Sequence, residues 1–509
     1  MNTAPAIYDL LVVGGGINGT GIALDAAGRG LSVLLCEMHD LGSATSSNSS
    51  KLIHGGLRYL EHYEFRLVRE GLAEREVLLK KAPHIIRPLR FRLPHLPHLR
   101  PAWMIRAGLF LYDHLSSRTT LAGSHGINFG PDSPLRSGIT RGFEYSDGWV
   151  DDARLVILNA LAAREAGADI RTRSRCVQAL RHGGLWQVSL NNQLTGETDV
   201  VRARALINAA GPWVSSLFDT ALASKPPQKI RLVKGSHIVV PRLHDQPEAY
   251  ILQNEDQRIV FVIPFEEAFS LIGTTDVEYQ GDPAEAVISD AETEYLLAVV
   301  NGYFKHTIAR ADIVMSYAGV RPLLDDDASA AQAVTRDYCF ELDQPANQPP
   351  LLSVFGGKLT TYRKLAEAAV NRIGVYFPQA GPSWTEKPAL PGGDFSDKEA
   401  LQTRLMTQHP WLPSPIAKRF VRSYGTRSQH VLNGTTCITD LGQHFGAGLY
   451  QREVDYLHEY EWALTVEDII WRRTKLGLHL TPREQQQLAD YLRDATHADN
   501  LKQPLHPNP

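Results

Sequence analysis

The chain has 509 residues, 43% hydrophobic and 21% charged, with a formal net charge of -4. Such a length predicts roughly two to four domains with sizeable cores, and the charge argues against any global attraction for nucleic acid. The cysteines, Cys36, Cys176, Cys339 and Cys437, lie far apart with no Cys-x-x-Cys pair, which argues against a disulfide framework or thiolate metal site and predicts a reducing compartment. The N-terminus has no basic region followed by an apolar one, so no signal peptide is expected. No stretch approaches the roughly 18 apolar residues of a spanning helix.

From Tyr8 an apolar strand runs into Gly14-Gly15-Gly16-Ile17-Asn18-Gly19. A helix follows, then a second apolar strand ending on Glu37. In this Gly-x-Gly-x-x-Gly turn Gly14 permits the tight bend, Gly16 lets the backbone approach a pyrophosphate, and Gly19 lets the helix pack on the strand. The helix N-terminus offers N–H groups and a positive dipole end. Glu37 suits both ribose hydroxyls of an adenosine and repels a 2′-phosphate, which disfavours NADP. The motif alone leaves FAD and NAD open. Because it opens the chain, the remaining strands of its domain must come later.

The next segment holds Thr45, Ser46, Ser47, Ser50, Lys51, Leu52, His54, Gly55, Gly56, Arg58 and Tyr59. Its hydroxyls and N–H groups suit a pyrophosphate and a ring edge. Gly55 and Gly56 let the main chain lie against a flat ligand, and Arg58 and Tyr59 suit an anionic substrate. The plain alternative is a polar loop capping the next helix, predicted at about residues 62–82 from the spacing of Phe65, Val68, Leu72 and Leu78.

Residues 80–112 carry Lys80, Lys81, Arg87, Arg90, Arg92, Arg100 and Arg106 with no acid before Asp113. Five prolines break the first half, and Trp103, Met104, Phe110 and Tyr112 lie in the second. Two readings compete: a Pro-rich excursion packed on its own domain, or a contact with an anionic membrane surface.

A helix is predicted after Asp151 or Asp152, with Gly167 as its stop. Short strands follow at 169–180 and 186–190, then 200–207, which ends in Ala209-Ala210-Gly211-Pro212-Trp213, a second close-approach turn. Residues 230–280 read as a separate antiparallel sheet that would hold His237 and Thr274 over a cofactor ring. A helix at 290–304 leads to Gly319-Val-Arg321-Pro322, then Arg336, then Phe355-Gly356-Gly357-Lys358-Leu359-Thr360-Thr361-Tyr362-Arg363. The last is another strand–glycine–helix junction, able to stabilise charge on a flavin edge. Three such junctions converge only in a domain assembled from separated segments, a pattern that points to FAD.

These motifs resemble the FAD-dependent glycerol-3-phosphate dehydrogenases, most nearly the bacterial aerobic, respiratory form. The resemblance runs from about residue 8 to about 480 and includes Val466-Glu-Asp-Ile-Ile-Trp-Arg-Arg-Thr-Lys475. It implies oxidation of sn-glycerol 3-phosphate to dihydroxyacetone phosphate, electrons passed to ubiquinone, a homodimer, and peripheral attachment to the cytoplasmic membrane. His54 is the first candidate base and His237 the alternate, and Arg321 steadies developing charge. Arg58, Tyr59, Arg336, Lys358 and Thr274 are the candidate substrate residues. The candidate flavin contacts are Gly14 to Gly19, Glu37, Thr45, Ser46, Ser47, Ser50, Lys51, Leu52, His54, Gly55, Gly56, Val177, Ala210, Gly211, Arg321, Gly357, Lys358, Leu359 and Thr360; no metal site is expected. An oxygen-using oxidase, an amino-acid oxidase of the same fold and a non-catalytic flavin-binding sensor are the rival readings.

The expected architecture is a doubly wound, Rossmann-like α/β FAD domain built from 1–80, 146–230 and 311–385. A basic insertion (81–145), an antiparallel substrate-binding cap (231–310) and a C-terminal helical domain (386–509) complete it.

Overall fold

The computed structural model describes residues 7–325 and 337–502. Its first sheet grows outward from the strand Ile7–Val13, whose Leu10, Leu11 and Val12 are fully buried. That strand pairs in parallel with Val33–Cys36 on one side and Thr198–Asn208 on the other. Asp169–Arg171 and Leu351–Phe355 extend the parallel set, and Cys339–Asp343 closes one edge antiparallel. A hairpin of Ser174–His182 and Leu185–Asn192 joins through Thr198–Asn208.

Seven helices of this unit matter below: α1 (Ile17–Gly28), α2 (Phe65–Lys81), α3 (Ala102–His114), α4 (Asp152–Glu165), α5 (Ser216–Thr220), α6 (Asp290–Tyr303) and α7 (Tyr362–Gly374). α1 packs between α4 and α7. Asp151 caps α4 by accepting from the Arg154 N–H at 3.1 Å. The opposite face of the sheet packs Leu11, Val13 and Leu34 against Trp186, Val188, Leu217 and Phe218 of the hairpin and α5.

The second sheet has ten strands, and its membership departs from the expected boundaries. Its order is Val277–Glu278, Ile230–Pro241, Phe269–Gly273, Ile259–Phe265, Ala249–Gln253, Ile86–Pro94, Arg141–Val150 and Leu52–Ile53. Met315–Leu324 joins Ile230–Pro241, and His125–Asn128 joins Arg141–Val150. The basic segment is therefore no separate insertion. Ile86–Pro94 and Arg141–Val150 pair over nine residues and continue the cap sheet through Ala249–Gln253, its one parallel junction. Met315–Leu324, expected in the FAD domain, also belongs here.

The pairing disperses the basic patch. Arg90 and Arg92 both bond Glu144 (2.8 and 3.0 Å), Arg92 also bonds Glu248 (3.0 Å), and Arg87 lies over Trp149. Lys80, Arg87, Arg100 and Arg106 stay exposed, as does the outer face of α3: Trp103 at 70%, Phe110 at 57%, and less fully Met104 and Leu111.

Among the described residues a second unit comprises the chain from Ala389 onward with Ala82–Ile85. Its core gathers Phe420, Tyr424, Phe445, Leu457 and Ile469. Buried Glu453 takes hydrogen bonds from Arg419 (2.7 Å) and the Tyr424 hydroxyl (2.6 Å). No helix among the described residues is long and apolar enough to cross a membrane.

Candidate active site

The three glycine turns do meet. A Cβ on Gly14, which sits at φ +111°, would lie 2.4 Å from the Ala209 carbonyl oxygen. Asn18 at the start of α1 donates to the Gly356 carbonyl at 3.2 Å. Strand ends at 13, 208 and 355 thus deliver one cradle below the N-termini of α1 and α7, neither of which carries a side-chain cap. Ser46 Oγ accepts from the Ile17 N–H (3.0 Å). Half-buried Glu37 accepts from the N–H groups of Gly15 (2.7 Å) and His39 (2.8 Å), and desolvation raises its carboxyl above the ordinary range.

A cavity of about 1140 Å³ runs from this cradle to the cap sheet. It is lined by Gly14, Gly16, Ile17, Asn18, Glu37, Thr45, Ser46, Ser50, Leu52, His54, Gly56, Arg58, Tyr59, Ala210, Gly211, Thr274, Arg321, Gly357, Lys358, Leu359 and Thr360. The donor set fits a dinucleotide: glycine turns where a Cβ would collide, an acid at the second strand end, and hydroxyls between. Asn18 Oδ1, buried on the cavity wall, has no hydrogen-bond partner among the described residues.

The other candidates stand behind this wall. Gly15 and Gly19 pack on Glu37 and on the Gly14 carbonyl. Lys51 is buried in an ion pair with Asp152 (2.7 Å) and donates to the Ser47 carbonyl (3.0 Å). Gly55 N–H donates to the Tyr112 hydroxyl. Val177 sits at a break in strand register between Cys176 and Gln178 and is 39% exposed, while its neighbours Ser174, Arg175 and Cys176 line the cavity. His237 lies beneath Ser50, 2.9 Å from its Oγ, stacked on Tyr317. Burial, then Arg321 and Lys51, hold the His237 imidazole well below its usual range, so it stays neutral. Arg336 lies outside the described residues.

The cap sheet brings Arg321 to the cavity wall. Ile230–Pro241 carries Phe269–Gly273 on one side and Met315–Leu324 on the other. Arg321 therefore reaches over to donate to Thr274 Oγ1 (3.1 Å) and to pair with Asp276. Lys358 Nζ sits 3.9 Å from the centre of the Tyr59 ring, a cation–π contact. Thr360 Oγ1 accepts from the His54 N–H (3.2 Å). Arg58 is half-buried, with no carboxylate partner among the described residues.

Asp276 is the functional neighbour that sequence reasoning missed. The signal was present, an acid two residues past Thr274 at a strand end, but only the pairing of distant strands gives it Arg321. The cavity also runs on under α3, past Met104, Ile105 and Leu111 to Gln253 and Arg258.

The family model described as "FAD dependent oxidoreductase" matches residues 9–363, and one described as "C-terminal domain of alpha-glycerophosphate oxidase" matches 383–497. A glycerol-3-phosphate dehydrogenase of Pseudomonas aeruginosa is 61% identical over 96% of this chain and 95% of its own. The chain belongs to the FAD-dependent glycerol-3-phosphate dehydrogenase family. The aerobic glycerol-3-phosphate dehydrogenase of Escherichia coli is 55% identical (96% and 98% covered). A D-erythritol 1-phosphate dehydrogenase of Brucella abortus is 50% identical (96% and 99%). Among solved structures, the glycerol-3-phosphate dehydrogenase of Bacillus halodurans complexed with FAD superposes with a TM-score of 0.73 at 27% identity, covering 96% of this chain and 94% of that one. Family membership makes this chain an FAD-dependent oxidoreductase, and the donor set of the cradle and cavity fits that cofactor.

Proposed function

We propose that the chain oxidises sn-glycerol 3-phosphate to dihydroxyacetone phosphate and passes the electrons to membrane ubiquinone. The observation that carries this reading is the set of cations sharing a cavity with His54: Arg58, Lys358 over Tyr59, and Arg321. A dianionic phosphate calls for such a set. When bound, FAD supplies N5 as acceptor for the C2 hydride.

The residues divide the remaining work. Arg58, Lys358 and the Tyr59 hydroxyl hold the phosphate, joined by Arg336. His54 takes the C2 hydroxyl proton, since an imidazole can serve as a general base and this residue lines the cavity. Arg321, kept in place by Asp276 and Thr274, steadies charge growing on that oxygen. His237 orients Ser50 through the 2.9 Å contact to its Oγ.

Support for the membrane acceptor comes from α3. Its outer face exposes Trp103, Met104, Phe110 and Leu111, and Met104, Ile105 and Leu111 also border the cavity. An apolar acceptor resting in a lipid surface therefore has a short route inward. The docking element is this face rather than the arginines of Ile86–Pro94, and attachment is peripheral, on the cytoplasmic side of the membrane. The family resemblance brings with it a homodimer, which light scattering tests.

The deciding experiment is anaerobic flavin bleaching. Glycerol 3-phosphate should bleach the flavin faster than D-erythritol 1-phosphate or any amino acid, and a ubiquinone analogue should restore the colour faster than air. Faster bleaching by another substrate moves the assignment to it. Faster recovery in air favours the oxidase reading, and a flavin that no substrate bleaches favours the sensor.

A further inference from the structure

His54 and Gly55 are held at both backbone N–H groups by side-chain hydroxyls from elements far apart in the chain. Thr360 Oγ1 takes the His54 N–H (3.2 Å), and the Tyr112 hydroxyl takes the Gly55 N–H (2.8 Å). The Tyr112 oxygen can accept because its own proton is committed. It donates to Asp147, lying 2.8 and 3.0 Å from the two carboxylate oxygens. Asp147 is fixed in turn by Arg75, which also bonds the Ser146 carbonyl (3.0 Å). All three side chains are at most 2% exposed.

The backbone is wedged as well as bonded. A Cβ on Gly55 would lie 2.6 Å from Leu72 Cδ2 and 2.9 Å from the Tyr112 hydroxyl, so nothing larger than glycine fits. On α2, Gly71 leaves the matching space, since a Cβ there would come within 3.2 Å of Gly55 Cα. Such a buried ionic relay costs desolvation and is poorly explained as simple ballast, because its free end points at one N–H beside the candidate base.

We propose that Tyr112 is a positioning residue for the oxidation, with Asp147 and Arg75 behind it. Through the Gly55 N–H it sets where the His54 ring, and the Arg58–Tyr59 pair beyond it, stand relative to the substrate. The proposal rests on reading 54–59 as the substrate-side segment. It predicts that removing one hydroxyl from the underside of the loop slows chemistry in a protein that still folds and holds FAD.

The test compares the FAD-loaded wild type with Tyr112→Phe, Asp147→Asn and Thr360→Val. Tyr424→Phe is the control, since it deletes a buried hydroxyl bonded to Glu453 in the other unit. Tyr112→Phe should bleach with glycerol 3-phosphate roughly ten- to a hundredfold more slowly per flavin, with KM changed far less. Asp147→Asn keeps an acceptor for the phenol and should lose less, while Thr360→Val should lose a comparable amount. The visible circular dichroism of the bound flavin, read without substrate, should change in Tyr112→Phe and not in Tyr424→Phe. Wild-type bleaching together with a wild-type flavin spectrum in Tyr112→Phe would overturn the proposal. If Tyr112→Phe loads no flavin, Asp147→Asn decides by the same two readings. If glycerol 3-phosphate fails to bleach the wild type, the substrate reading falls and the dichroism arm alone judges Tyr112.

Discussion

Gly235 and Arg321 compete for one space. A Cβ on Gly235 would stand 2.5 Å from Arg321 Nη2 and equally close to Thr274 Oγ1. Gly235→Ala therefore displaces the guanidinium without deleting any functional group. The long Arg321 side chain can yield, so the melting temperature should change little, while kcat falls roughly tenfold or more. Unchanged turnover in flavin-loaded Gly235→Ala would show that the position of Arg321 does not limit the reaction.

Lys358 and Tyr59 form a second pair with separable parts. Lys358→Met should raise KM for glycerol 3-phosphate by roughly ten- to a hundredfold, because a charge-assisted contact to phosphate is lost. Tyr59→Phe keeps the ring under the ammonium and should cost less than Tyr59→Leu, which removes it. Equal KM values for the two Tyr59 variants would mean that the ring does not position Lys358.

The outer face of α3 and the arginines of Ile86–Pro94 should respond oppositely. Trp103→Ser with Phe110→Ser should weaken binding to liposomes and leave activity with a soluble dye intact. Arg90→Ser with Arg92→Ser breaks pairs to Glu144 and Glu248 and should lower the melting temperature. Liposome flotation beside thermal melts reads both, and full retention of liposome binding by the α3 variant removes that helix as the docking element.

Glu292 on α6 ties the cap sheet to its outer helix. It bonds Lys234 (2.9 Å), Ser236 (2.8 Å), Thr275 (2.7 Å) and Ser289 (2.8 Å). These partners overcome burial and draw its carboxyl from 4.5 to about 2. A depressed acid stabilises the fold above its unfolded pKa and loses that contribution as pH falls through the folded value. The wild-type melting temperature should therefore drop from pH 4.5 toward 2, and Glu292→Gln should flatten that part of the profile. Parallel profiles would show that other carboxylates govern acid unfolding.

What the sequence made legible was chemistry written in neighbouring residues. The glycine turn with its acid, the 54–59 run and the Gly356–Gly357 junction each state their purpose within a few positions, and all border or support the cavity. Partnerships between distant segments were not legible. Glu144 and Glu248 lie far along the chain from the arginines they neutralise, so residues 80–112 read as a basic patch. The burial of His237 cannot be read from one histidine, and only the paired strands bring its Nε2 to 2.9 Å from Ser50 Oγ. Val177 falls at a break in strand register that periodicity alone does not reveal.

The closing of the cradle by Asn18 on Gly356 sets an order of events during synthesis. Ile7–Val13 leaves the ribosome first, yet its partner Thr198–Asn208 follows nearly two hundred residues later, and Leu351–Phe355 later still. Cofactor capture thus waits for residues up to about 363, and until then one edge of an apolar central strand must be kept from wrong partners. Nascent chains stalled before residue 350 should hold no flavin, whereas chains stalled once 363 has emerged should begin to, which makes flavin itself a clock for closure of the first sheet.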